Sequence, residues 1–79
     1  MSKKYSLLVK GASGTHVLSR ITSLFMKNQV IIDKLDYTNI KTDAAQFSIQ
    51  AISDEKRMNS IVNQINNIIE INNVTVKYI

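Results

Sequence analysis

The segment SDEKRMNSIVNQINNIIE, residues 53–70, constrains this chain more than any other stretch. Met58, Ile61, Val62, Ile65, Ile68 and Ile69 recur at helical spacing and make one apolar stripe, while Asn59, Asn63, Asn66 and Asn67 occupy the outer face. Ser53 is placed to cap the helix, and Asp54 and Glu55 to meet its positive end. Asparagine is a poor helix former, so propensity alone does not hold this segment. The isoleucine stripe must be buried, and the rest of the chain must supply the surface that buries it.

That surface is readable as strands. YSLLVK, about residues 4–10, puts Tyr5, Leu7 and Val9 on one face. AQFSIQAI alternates Phe47, Ile49 and Ala51 with Gln46, Ser48 and Gln50, giving one covered and one wetter face. VIIDKLDYTNI, residues 30–40, is rich in β-branched residues, and its uneven period around Ile31-Ile32 predicts a bulge. The polar KTDA after it suits a hairpin turn. INNVTVKYI closes the pattern, with Val74, Val76 and Tyr78 on one face. A second helical stripe, Val17, Leu18, Ile21, Leu24 and Phe25, runs to about Lys27 after Gly11 and Gly14, with Ser13 and Thr15 as candidate N-caps.

The order is βαββαβ, two strand-helix-strand halves joined by a hairpin. It predicts an α+β ferredoxin-like fold, a four-stranded antiparallel sheet with two helices on one face. The other face is then solvated or covered by a partner subunit, and an exposed edge strand offers a place for a second copy to pair.

At 79 residues and 8.9 kDa the chain has room for one domain, residues 1–79, with a modest core. It has no cysteine, so disulfides and thiolate metal ligands are excluded, and association is the remaining means of reinforcement. The net charge of +4 is spread along the chain, with only Lys3-Lys4 and Lys56-Arg57 adjacent. Phe25 and Phe47 lie within apolar patterns rather than on a basic face, so no nucleic-acid partner is expected. No signal-peptide pattern is present, and no apolar run approaches the roughly 18 residues that span a bilayer. The expectation is a soluble cytoplasmic chain with no membrane partner.

Catalytic chemistry is not legible. His16, the only histidine, has no recognisable base, orienting group or further metal ligands around it in sequence and reads as a surface or partly packed residue. Asp33 and Asp36 flank the second strand, and a helix end accounts for Asp54 and Glu55. No enzyme and no metal site are expected from this chain alone. GASGTHV, from Gly11, fits neither the dinucleotide nor the P-loop glycine frame. From the residues it is either a loop corner or a cradle in which helix N-terminal amides meet a small anion.

Three stretches carry a family resemblance: VLSRITSLF, NQVIIDKLDY and FSIQAISDEKRMNSIVNQINNIIEINNVTVKY. Over residues 5–79 the chain resembles an ACT domain, most closely the small regulatory subunit of acetolactate synthase. The resemblance implies a noncatalytic regulatory subunit in branched-chain amino-acid biosynthesis. Such a subunit forms a homodimer by joining sheets, here through the first helix and second strand, and activates a large catalytic subunit. Thiamin diphosphate and magnesium belong to that partner, with no cofactor in this chain. A small amino-acid effector is expected at Ser13, Gly14, Thr15, His16 and Val17. Ser13 stands at a position usually like asparagine and His16 where the family usually has glycine, a side chain that narrows the approach. The short chain resembles the compact versions without a further C-terminal domain, whose regulation need not include valine. Two alternatives are an independent amino-acid-sensing or oligomerisation module serving another system, and a dimerisation scaffold whose pocket has decayed.

Overall fold

A computed structural model of the chain describes residues 2–78. Its elements are β1 (Lys3–Ala12), α1 (Thr15–Lys27), β2 (Ile31–Lys41), β3 (Ala44–Ser53), α2 (Glu55–Asn66) and β4 (Ile71–Tyr78). All strands join one antiparallel sheet in the order β2-β3-β1-β4. This is the expected ferredoxin-like βαββαβ arrangement. The pairing sets Leu7 opposite Ile49 and Val76, and Val9 opposite Phe47 and Val74, so inward-facing residues of three strands form continuous apolar rows.

Those rows are what the helices cover. Tyr5, Leu7, Val9, Ala45, Phe47, Ile49 and Ala51 from the sheet share one core with Val17, Ile21 and Phe25 of α1 and Met58, Ile61 and Ile65 of α2. Each fully buried Leu, Ile or Phe contributes about 1.5–3 kcal/mol of transfer free energy, which offsets the weak helix propensity of the asparagines in α2. The opposite face of the central strands carries Ser6, Leu8 and Lys10 beside Gln46, Ser48 and Gln50, mostly polar positions that water can solvate. At the first end of β1, the Tyr5 and Tyr78 rings lie 5.9 Å apart, and the Lys3 ammonium stands 4.7 Å over the Tyr78 ring. A side-chain hydrogen bond with Tyr78, followed by its Coulombic interaction, raises the Lys3 pKa.

The helix ends differ from the sequence reading. Asp54, not Ser53, caps α2: its Oδ1 accepts the Arg57 backbone N–H at 2.8 Å. Ser53 is instead the last residue of β3, turned inward in the alternation that buries Ala45 through Ala51, and its hydroxyl donates to the Asp54 carbonyl at 2.8 Å. Replacing Asp54 by Ala is expected to cost about 1 kcal/mol of stability. Denaturant unfolding checks this, and an unchanged midpoint would show that the cap contributes nothing. At its other end α2 stops at Asn66, with Asn67 as C-cap, so Ile68 is only half-buried and Ile69 is outside the stripe altogether. Helix α1 begins on Gly14 with no side-chain cap; Thr15 is its first helical residue, and the Ser13 hydroxyl bonds elsewhere.

The expected bulge in β2 lies between Ile32 and Lys34, and a second irregularity falls between Asn39 and Lys41. Thr42 and Asp43 make the hairpin turn. The sheet has one further register shift, between Lys10 and Gly11 where β1 meets β4. This irregularity marks the corner where the candidate site begins. Among the described residues, no helix is long and apolar enough to cross a membrane.

Candidate functional site

The corner is the connection from β1 to α1. Gly11 packs so tightly on the start of β4 that a Cβ there would lie 2.5 Å from the Glu70 carbonyl oxygen. The Ala12 N–H donates to that same carbonyl at 2.9 Å, fastening the end of β1 to the α2–β4 turn. Two residues on, Gly14 has φ of +131°, a backbone conformation that side chains with L chirality rarely adopt. The two glycines therefore have different causes, a close approach at Gly11 and a dihedral at Gly14.

Between them the loop is fixed from the other side of the sheet. The Ser13 hydroxyl donates to the Thr42 carbonyl at 3.0 Å, and the Ser13 N–H to the Asp43 carbonyl at 3.3 Å. The Gly14 N–H donates to the Tyr37 hydroxyl at 2.9 Å, and that hydroxyl donates onward to Asn39 Oδ1 at 3.1 Å. Tyr37 is held in place by its ring, 5.1 Å from that of Phe47 in the core. The loop is thus tied to β2, to the hairpin turn and to the α2–β4 turn.

The first helical turn presents what remains. The Thr15 and His16 amides open α1 and have no intrahelical acceptor, and the positive end of the helix lies there. The His16 ring is two-thirds exposed and folds back over Gly14, where an added Cβ would meet its Cε1 at 2.8 Å. His16 Nε2 stands 3.8 Å from Glu70 Oε2, beyond hydrogen-bond length, while Glu70 Oε1 accepts from Arg20 Nη1 at 2.9 Å. The corner therefore carries two potential cationic groups and one carboxylate.

Of the expected residues, the structure brings Ser13, Gly14, Thr15 and His16 together at the surface. Val17 is fully buried, so its side chain supports the corner from the core and cannot line a pocket. Tyr37, Thr42, Asp43 and Glu70 went unread as neighbours because each contact spans more than 20 residues of sequence, a relation that no local pattern encodes. Arg20 had a readable signal: it follows His16 by four residues and so shares its helix face. Among the described residues, no three His, Cys, Asp or Glu side chains come together as a metal site.

Neither a protein-family model nor a curated protein matches the sequence. Solved structures do match. The ACT domain from the GTP pyrophosphokinase of Chlorobium tepidum superposes with a TM-score of 0.83, at 10% identity over 98% of this chain and 100% of that one. The chain shares the ferredoxin-like βαββαβ fold of that domain. The acetolactate synthase small subunit of Thermotoga maritima is also similar, with a TM-score of 0.78 and 16% identity over 94% of this chain, which spans 47% of that protein. So is 30S ribosomal protein S6 of Thermotoga maritima, with a TM-score of 0.80 and 12% identity over 100% of this chain and 89% of that one. At these identities the βαββαβ fold is shared across proteins with different names, and the likeness extends to the fold alone.

Proposed function

We propose that the chain is a noncatalytic sensing module that binds a small amino-acid effector at the β1–α1 corner and works by association with other subunits. The carrying observation is the corner itself: a loop fixed on three sides leaves the first amides of α1 beside His16 and Arg20. In this reading Ser13, Gly14, Thr15 and His16 contact the effector, and Val17 holds the helix start to the core. The edge strand β2 supports pairing with a second copy. An antiparallel two-fold pairing centred on Leu35 would set Lys34 of each copy opposite Asp36 of the other.

The test is titration of the chain with a panel of free amino acids while backbone amides are followed by NMR. Saturable shifts centred on residues 13–17 are expected; a full panel without any would reject the sensing role in favour of a scaffold. Once an effector is found, His16→Gly is expected to tighten its binding several-fold, because the ring that folds over Gly14 is removed. The substitution costs about 1 kcal/mol or less of stability, since His16 is exposed and lies in the first helical turn. Unchanged affinity would reject the argument that His16 narrows the approach.

A second reading makes the module the small subunit of an acetolactate synthase, activating a thiamin-diphosphate- and magnesium-dependent large subunit. The sequence cadence from Val17 to Phe25 and from Phe47 to Tyr78 favours it. Mixing the chain with such a large subunit separates the readings. Co-elution and a change in synthase activity would establish this partner, and their absence would leave the independent module.

A further inference from the structure

Between α1 and the α2–β4 turn lies a groove of about 430 Å³ that adjoins the corner at Arg20 but shares none of residues 13–17. We propose that this groove is a second small-molecule site, suited to a short-chain apolar monocarboxylate.

The apolar wall is built rather than frayed. Helix α2 ends at Asn66, and the following turn is fixed by the Ile68 N–H to the Ile65 carbonyl at 3.0 Å, the Ile71 N–H to the Ile68 carbonyl at 3.1 Å and the Ala12 N–H to the Glu70 carbonyl at 2.9 Å. Ile69 lies within that bonded turn, yet it is 95% exposed. Ile68 and Leu24, both packed partly on the core, line the groove with it. Covering Ile69 would recover transfer free energy that the isolated chain leaves unused.

The polar wall selects the sign of charge. Arg20 lines the groove from α1 and is about half-exposed. Its single bond to Glu70 Oε1 uses one of the guanidinium's five donor hydrogens and fixes its position, leaving the other donors for a ligand. Ser23 commits its proton to the Ser19 carbonyl at 2.7 Å, and Asn67 adds a neutral amide. No acidic residue lines the groove; Glu70, which partly offsets Arg20, lies outside the lining. A guanidinium beside Leu24, Ile68 and Ile69 matches a carboxylate carried on an apolar chain. The volume, near the lower end of the roughly 300–1,000 Å³ typical of ligand pockets, suits a short chain.

The test uses the whole chain with hexanoate, hexanol and hexylamine, followed by amide NMR. None of these probes is an amino acid, so the result is independent of the effector reading at the corner. Saturable shifts confined to residues 19–24 and 67–69 are expected, with hexanoate binding roughly tenfold more tightly than hexanol, as a charge-assisted hydrogen bond implies, and hexylamine most weakly. Arg20→Gln should bring hexanoate to the level of hexanol while leaving hexanol unchanged, and Ile69→Ser should weaken both. Equal affinity for all three probes, shifts centred on residues 13–17, or no saturable shift up to the solubility limit would each overturn the proposal. The probe series on the unsubstituted chain decides this by itself, without relying on either variant.

Discussion

Ile65→Asp is expected to abolish the cooperative unfolding transition of this domain. Ile65 is completely buried in the stripe by which α2 covers the sheet. Truncating such an isoleucine costs about 2–5 kcal/mol through lost transfer free energy and the cavity left behind. A carboxylate adds the penalty of leaving water without a partner. Among the described residues Ser53 is the only buried polar one, so the interior offers no buried cation to the new acid. Domains of this size are stabilised by a modest margin, on the order of 5 kcal/mol, and the combined penalty consumes it. Far-ultraviolet circular dichroism during thermal and denaturant unfolding reads the outcome. Ile65→Val, at about 1 kcal/mol, provides the control that keeps shape without charge. A cooperative transition near that of the unsubstituted chain would mean that the α2 stripe is not what holds the sheet.

The same stripe shows how far local sequence carries. Its period identified the helix because Met58, Ile61 and Ile65 are spaced for one face, and the alternation from Phe47 to Ala51 identified the strand beneath it. The end of the helix was not legible, since Ile68-Ile69 continue the apolar pattern after the backbone has turned. What decides the end is tertiary: the Asn67 N–H satisfies the Gln64 carbonyl, the Ile68 N–H satisfies that of Ile65, and Glu70 must reach the end of β1. The cap was nearer to legible. Ser53 and Asp54 can both cap a helix, but extending the inward alternation of Ala45, Phe47, Ile49 and Ala51 by one step assigns Ser53 to the sheet and leaves Asp54 for the helix.

The corner divides along the same line. Gly11, Gly14 and the start of α1 were visible as a turn entering a helix. Their fastening to Tyr37, Thr42 and Asp43 was not, because it depends on β2 and its hairpin lying near the loop across the sheet. The carboxylate of Glu70 reaches Arg20 and His16 for a similar reason: the α2–β4 turn follows the helix that sequence had extended through it. Resemblance adds the expectation of an effector at this corner, and the geometry adds the three ties that keep it in shape.

Those ties make Gly11→Ala a sharp test of the corner. Gly11 does not adopt a positive φ, so alanine meets no backbone strain there and the effect isolates crowding. The new Cβ would lie 2.5 Å from the Glu70 carbonyl oxygen in the α2–β4 turn and 3.0 Å from Ile71 Cα at the start of β4, both backbone atoms. Neither can swing aside as a side-chain end can, so the start of β4 must move away from β1. Crowding of this kind costs about 1–3 kcal/mol, reduced by the roughly 0.4–1 kcal/mol that alanine gains by restricting the unfolded chain. A net loss of about 1–2 kcal/mol is expected in denaturant unfolding, with the Ala12 amide exchanging faster as its bond to Glu70 lengthens. Gly14→Ala supplies the contrast. There the obstacle is the exposed His16 ring, which can rotate away, and the cost arises from the φ of +131°. The Ala12 amide should then keep its protection. If Gly11→Ala leaves both the midpoint and the Ala12 exchange rate unchanged, the close approach of β1 to the α2–β4 turn does not shape the corner, and the placement of Glu70 beside Arg20 and His16 loses its structural cause.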